Sequence, residues 1–319
     1  MVRIAILDDF QDVARQMGPW DQLLGDCFLQ VFHDHLADEE SIAERLQAFD
    51  VVVIMRERTP FPRTLIERLP NLRLLVTSGW RNLAVDLVAC RERSIVVCGT
   101  DAGSAPTAEL AWGLILALSR NIPREDRAIR EGGWQTSLGT SLKGKVLGIV
   151  GLGRLGAEMA RIGLAFGMEI IAWSQNLSAI RAAEVGAHRV GKTALFATAD
   201  VISLHVVLSD RTRGLVGARE LASMKQSAFL VNTSRGPVVD EGALIEALSK
   251  GRIAGAGLDV YGQEPLPSGH PLRALENTVL TPHHGYVTRE SYATYFTQAV
   301  ENILAWLNSD PIRLLEPPK

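Results

Sequence analysis

The sequence predicts an α/β protein of two doubly wound parallel-sheet domains, one inserted into the chain of the other. Three observations lead there. Short β-rich runs alternate with helix-compatible stretches through the first hundred residues, a second such series begins after residue 145, and a glycine-rich turn stands at the head of that second series. A length of 319 residues suits two domains.

In the first series, residues 2–7, 51–55, 72–77 and 95–98 read as buried strands with amphipathic segments between them. Residues 106–120 (PTAELAWGLILALSR) form an apolar helix, hydrophobic nearly all round, which predicts burial on several sides, between domains or between subunits. The stretch EGGWQTSLGTSLKGK then reads as a loop. Strands follow at 146–150, 169–173, 201–205, 229–232, 255–259 and 278–280, and residues 291–307 have the spacing of an amphipathic helix. The expected division is a dinucleotide-binding domain at 101–283, flanked by 1–100 and 284–319 as the two pieces of a substrate domain.

Bulk properties exclude several classes. With 33 basic and 36 acidic residues the net charge of -3 offers no electrostatic case for nucleic acid or an anionic membrane. The most apolar helical run, 110–118, is too short to span a bilayer, and the first ten residues lack a secretory signal. Cys27, Cys90 and Cys98 are odd in number and lack metal-ligand spacing. They predict a reduced, cytoplasmic protein with no zinc site; no metal is expected at all.

The segment KVLGIVGLGRLG places Gly151, Gly153 and Gly156 in G-x-G-x-x-G spacing directly after an apolar strand and before a helix. The spacing alone is weak evidence; in this context it reads as a dinucleotide fingerprint. The helix start, with Arg154 and Leu155, would present amides to a pyrophosphate. A glycine-rich turn between two core elements is the plain alternative. The next strand ends at Ser174, Gln175 and Asn176, where an acidic residue would grip the adenosine ribose. With no carboxylate to repel a 2′-phosphate, and Arg181 nearby, the cofactor choice between NAD and NADP leans slightly to NADP, although neutral groups can also bind NAD.

Three later strands end in polar clusters: LVNTSRGPVVD with Arg235, AGAGLDVYGQEPLP with Asp259 and Glu264, and VLTPHHGY with His283 and His284. Open α/β sheets gather ligands at the carboxyl ends of their strands. Reducing a 2-oxo acid needs a proton donor near neutral pKa, a carboxylate to hold it and a fixed cation for the acid group. His283, Glu264 and Arg235 supply those parts. Taken singly, each has a structural reading: a core histidine, a turn glutamate before Pro265, an Arg235–Asp240 surface pair.

These segments resemble the D-isomer-specific 2-hydroxyacid dehydrogenase family. The matching stretches are GLGRLG, HVVLSDRTRGLVG from His205, MKQSAFLVNTSRGPVVDEGALIEAL, GAGLDVYGQEPLP and TPHHG. The resemblance implies a Rossmann cofactor domain inserted into a flavodoxin-like substrate domain, with the active site in the cleft between them. It implies a homodimer built through the cofactor domains. By the same resemblance Arg235 clamps the substrate, Glu264 partners the acid/base His283, and His205, Thr233, Ser234, Asp259 and Gly285 serve the cofactor. TSGWRNLAVD resembles the family's substrate loop, so backbone amides around Ser78 and Gly79 would hold the carboxylate with Arg235. The implied activity is hydride exchange between NAD(P)H and C2 of a small acid such as glyoxylate or hydroxypyruvate. A dinucleotide-sensing, corepressor-like protein without turnover is the rival reading. Trp80 and Tyr286, bulky aromatics near the pocket, could set substrate size, but aromatic residues are more often core and both are expected there; His284 is expected in packing or at the surface.

Overall fold

Parallel strands covered on both faces are spelled as unbroken apolar runs. Val51–Ile54 (VVVI) and Val201–Leu204 (VISL) are buried at every position. A computed structural model describes residues 1–23, 25, 27–103 and 105–317. The chain divides into two compact units, Met1–Gly103 with Val287–Lys319, and Ser104–Tyr286. Each crossing falls three residues later than the expected limits of 100 and 283, so His284 and Gly285 belong to the second unit.

The first unit holds β1 (Val2–Ile6), β2 (Cys27–Val31), β3 (Val51–Ile54), β4 (Leu74–Thr77) and β5 (Val96–Cys98). They form a parallel sheet in the order β2-β1-β3-β4-β5, the flavodoxin-like arrangement. Register sets Ile4 beside Val51 and Val53 beside Val76. Strand β2 was not predicted: it lies at the sheet edge, and Phe28 is exposed. The helix Arg289–Leu307 is capped by Thr288, whose hydroxyl accepts from Ser291 N, and it buries Tyr292, Tyr295, Phe296, Ala299, Val300 and Ile303 at helical spacing.

The second unit holds β6 (Val146–Val150), β7 (Glu169–Trp173), β8 (His188–Arg189), β9 (Val201–Leu204), β10 (Phe229–Asn232), β11 (Gly255–Leu258) and β12 (Thr278–Leu280). The parallel order is β12-β11-β10-β9-β6-β7-β8. The winding reverses between β6 and β9, which creates the switch-point crevice of a Rossmann sheet. Two buried clusters accompany the sheet, one around Phe196, Leu230 and Leu258, the other around Trp112, Ile149 and Met159.

The apolar helix Ala105–Ser119 differs from expectation. Ala108, Ala111, Trp112, Leu114, Ile115 and Leu118 are buried, but Ala105, Glu109 and Gly113 form an exposed stripe at a spacing of four. The helix Ile122–Arg130 that follows was not predicted at all. It buries no residue, so its charged sequence IPREDRAIR carries no apolar face directed to a core.

The helix Arg154–Ala165 sits directly on the β6 turn. A Cβ on Gly156 would stand 2.2 Å from the carbonyl oxygen of Gly151, a backbone atom that cannot step aside. Gly156→Ala should therefore destabilise the second unit by about 1–3 kcal/mol, read as a lowered denaturation midpoint; an unchanged midpoint would contradict this packing.

Candidate active site

The site is built at the carboxyl ends of adjacent strands of the second unit, beginning at β6. Gly151 turns the chain with φ +97°, its N–H donating to Trp173 O at 2.8 Å. A side chain there would meet His205 O at 2.5 Å, so only glycine permits both the turn and the approach to the end of β9. Gly153 is different. A Cβ built on it meets nothing within 4 Å. That open space lies at the start of the twelve-residue helix Arg154–Ala165, whose first residues are Arg154 and Leu155. A dinucleotide pyrophosphate needs such open backbone at a helix N-terminus. At the end of β10, Thr233 is buried with its Oγ1 lacking any hydrogen-bond partner among the described residues, a polar atom awaiting a ligand. Both observations fit a bound dinucleotide.

Ser174 follows β7 half-buried, with Gln175 and Asn176 exposed beyond it, and no carboxylate stands in the run from Ser174 to Asn176. Arg181, read from the sequence as a second cation near this corner, is paired with Glu184 at 2.5 Å on the exposed side of its helix. Its charge is already partnered.

The ends of β10, β11 and β12 are knitted together. Asn232 accepts from Ser234 N at 3.0 Å and Ser234 Oγ at 2.8 Å, and its amide donates to Arg235 O at 3.0 Å, which shapes the Arg235 loop. Arg235 Nη1 donates to Ser234 O at 2.7 Å. Asp240 caps the helix Glu241–Ser249, its side chain accepting from Ala243 N. A Cβ on Gly236 would lie 1.9 Å from Tyr261 O, so the Arg235 loop rests on the backbone of the loop after β11.

That second loop carries Glu264. Its Oε1 accepts from Tyr261 N at 2.9 Å, and its Oε2 lies 2.6 Å from His283 Nδ1. The loop is also fastened by Glu241, which accepts from Gly262 N at 3.1 Å and meets His270 at 3.2 Å. His283 is held in turn: its N–H donates to Asp259 O at 2.8 Å, and its φ is +52°. The buried Asp259 carboxylate accepts from Thr281 Oγ1 at 2.6 Å, His284 N at 2.6 Å and Gly285 N at 2.9 Å. Burial raises the Asp259 pKa, opposed by those hydrogen bonds and by the nearby His283. The His284 side chain is exposed; Gly285 and Tyr286 are buried.

His205, at the end of β9, has a different character from His283. Its Nε2 lies 2.8 Å from Ser203 Oγ, and burial pushes its pKa down to about 4. It stays neutral at physiological pH and suits contact better than proton transfer.

In the first unit, Ser78 and Gly79 follow β4, but their own amides are taken: Ser78 N donates to Ile54 O at 3.2 Å and Gly79 N to Thr100 Oγ1 at 2.9 Å. The parallel ladder and Thr100 thus occupy these two N–H groups. Trp80 departs from the expected core placement. It is 51% exposed and donates Nε1–H to Asp101 at 2.7 Å, an anchor that Gln298 shares. One group that sequence spacing did not bring out is Asp9, Asp12 and His33, whose ligand-type atoms lie within 4.8 Å of one another. The Asp9 carboxylate there is occupied by the amides of Val13 and Ala14.

Sequence reasoning also passed over Asn232 as a loop organiser, Thr281 as a partner of Asp259, and Tyr261, whose OH lies 2.8 Å from Thr281 O. Short polar residues at strand ends are the signal that could have found them. Gly153→Ala should leave the denaturation midpoint in place yet weaken dinucleotide binding about tenfold or more by fluorescence titration; undiminished binding would remove Gly153 from the cofactor site.

Residues 112–285 match the family model described as "D-isomer specific 2-hydroxyacid dehydrogenase, NAD binding domain". The chain is 40% identical to the glyoxylate reductase of Aeropyrum pernix over 76% of its own length and 75% of that protein's. It is 37% identical to the hydroxypyruvate reductase of Thermotoga maritima, over 94% and 97%. It spans about half the length of the D-3-phosphoglycerate dehydrogenases of Archaeoglobus fulgidus and Methanocaldococcus jannaschii that it matches. A phosphoglycerate oxidoreductase structure from Vibrio cholerae superposes with a TM-score of 0.92 at 40% identity, covering 97% of this chain and all of that one. With a matched domain model and relatives matched along most of their length, the chain belongs to the D-isomer-specific 2-hydroxyacid dehydrogenases and is a nicotinamide-dependent oxidoreductase.

Proposed function

We propose that this dehydrogenase interconverts a small 2-oxo acid of the glyoxylate or hydroxypyruvate kind and its D-2-hydroxy acid, and that it favours NADP(H) over NAD(H). The observation that carries the reading is the 2.6 Å contact between Glu264 and His283 Nδ1, held in a strand-end network that also shapes the Arg235 loop. The names of the two reductases above support the substrate class. The absence of a carboxylate at Ser174, Gln175 and Asn176 supports the cofactor preference.

A nicotinamide dinucleotide, when bound, supplies the hydride to C2 or accepts it in reverse. Glu264 is held by Tyr261 N and engages His283 Nδ1, and so fixes that edge of the imidazole. His283 Nε2 is then the atom that gives its proton to the substrate oxygen, or takes it back. Arg235 suits the substrate carboxylate because its guanidinium is planar, permanently charged and able to bond in bidentate fashion. Gly151, Gly153 and Gly156, with Arg154 and Leu155, cradle the pyrophosphate; Ser174 faces the adenosine ribose; His205, Thr233, Ser234, Asp259 and Gly285 serve the nicotinamide end. Ser78 and Gly79 shape the substrate loop.

The chain also acts, on this reading, as a homodimer in the cytoplasm. Cys27, Cys90 and Cys98 are buried and not joined in disulfides, and no described helix is long and apolar enough to cross a membrane. Beside the exposed stripe of helix Ala105–Ser119, the segment after it displays Trp134 at 76% and Leu138 at 96% exposure, with Ile122 and Ile129 also exposed. Apolar groups gathered in one stretch of chain call for a partner surface, and a second copy brings the same groups to the contact. Light scattering should give a dimer that Trp134→Lys with Leu138→Glu dissociates; a wild-type monomer at micromolar concentration would sink the assignment.

Activity is tested by initial rates with NADH and NADPH against glyoxylate, hydroxypyruvate, pyruvate and branched 2-oxo acids. Turnover should be highest with glyoxylate and hydroxypyruvate and with NADPH; a preference for NADH above about tenfold (roughly 1.4 kcal/mol) would reverse the cofactor assignment. His283→Gln should lower kcat by about 10²–10⁴-fold, the range of general acid catalysis, and Arg235→Ala should raise KM while lowering kcat. Near-normal turnover in His283→Gln would reject its role.

A further inference from the structure

The contact between Glu264 and His283 fixes one edge of the imidazole but leaves the ring able to swing about that bond. Tyr286 closes this freedom. Its ring centroid lies 5.6 Å from that of His283, with the planes at 75°, an edge-on aromatic contact. Tyr286 is itself buried. The two residues between them are pinned by one group: His284 N and Gly285 N both donate to Asp259, at 2.6 and 2.9 Å. Thr107 Oγ1 adds a bond to Gly285 O at 3.1 Å. The tyrosine is thereby anchored to the same carboxylate-held turn that carries the histidine.

We propose that Tyr286 is a positioning residue for the reaction, acting through His283 by holding the imidazole plane so that Nε2 meets the substrate oxygen. The proposal rests on the role given to His283 above. It assigns the task to the aromatic ring, and the hydroxyl is not required. Misplacing a reacting group by about 1 Å can cost on the order of 10²-fold in rate, so a wall that removes one rotation of the imidazole matters.

The test is a double-mutant cycle in the full-length enzyme with its best 2-oxo acid and dinucleotide. Tyr286→Phe keeps the ring and should retain kcat within about twofold. Tyr286→Leu should lower kcat about tenfold with the KM for dinucleotide unchanged. In the His283→Gln background, Tyr286→Leu should have no further effect, because the group it positions is gone. An equal tenfold loss in both backgrounds would show a general structural role and overturn the proposal, as would full activity in Tyr286→Leu or failure of Tyr286→Phe to rescue. A His283→Gln enzyme with near-normal rates would instead reject the role of His283 itself, which separates the two failures.

Discussion

The buried carboxylate of Asp259 is the constraint on which the rest of the site depends. A charge removed from water is costly unless its lone pairs are satisfied. Asp259 is satisfied by the Thr281 hydroxyl and by the amides of His284 and Gly285, while its own backbone joins Asn232 O to His283 N. One residue thus ties the ends of three adjacent strands. The turn that carries His283 and the loop that carries Glu264 could not keep a 2.6 Å contact if either end drifted. Burial raises the Asp259 pKa, and the hydrogen bonds pull against that rise, so the group is balanced between solvation lost and solvation replaced.

Around this anchor the second unit separates two kinds of work. The β6 turn offers open backbone at Gly153, and the end of β10 a Thr233 hydroxyl with no hydrogen-bond partner among the described residues, features that suit holding a ligand. The ends of β11 and β12 offer a histidine with a dedicated carboxylate, a feature that suits moving a proton. The two histidines at strand ends illustrate the difference. Burial beside Ser203 holds His205 neutral, whereas His283 Nδ1 stands against the Glu264 carboxylate. The close packing of Gly236 on Tyr261 and the bond from Gly262 to Glu241 keep the Arg235 and Glu264 loops in a fixed relation.

Much of this was legible in the sequence because its physical signals are local. Buried parallel strands announce themselves as apolar runs, and the glycine spacing after β6 gains meaning from the strand before it and the helix after it. Glu264 and His283 were singled out together as polar groups at strand ends, and the structure brings them into contact. Other features depended on partners distant in sequence. Strand β2 is a half-exposed edge whose only cue is its pairing with β1. The helix Ile122–Arg130 has no buried face to betray it. Trp80 looked like core by residue type, yet Asp101 offers its indole a bond at the surface. Nothing local in the sequence around Ser78 and Gly79 reveals that Ile54 and Thr100 take the amides of these two residues. Tyr286 lacked a meaning until its ring was found against His283.

The most direct measurement is a crystal structure of the enzyme with oxidised or reduced dinucleotide and oxamate, a non-reacting mimic of a 2-oxo acid. The account predicts His283 Nε2 within hydrogen-bond distance, about 2.6–3.2 Å, of the oxamate oxygen that stands for the substrate carbonyl, with Glu264 still on Nδ1. An imidazole turned away from that oxygen, or another side chain occupying the donor position, would contradict it.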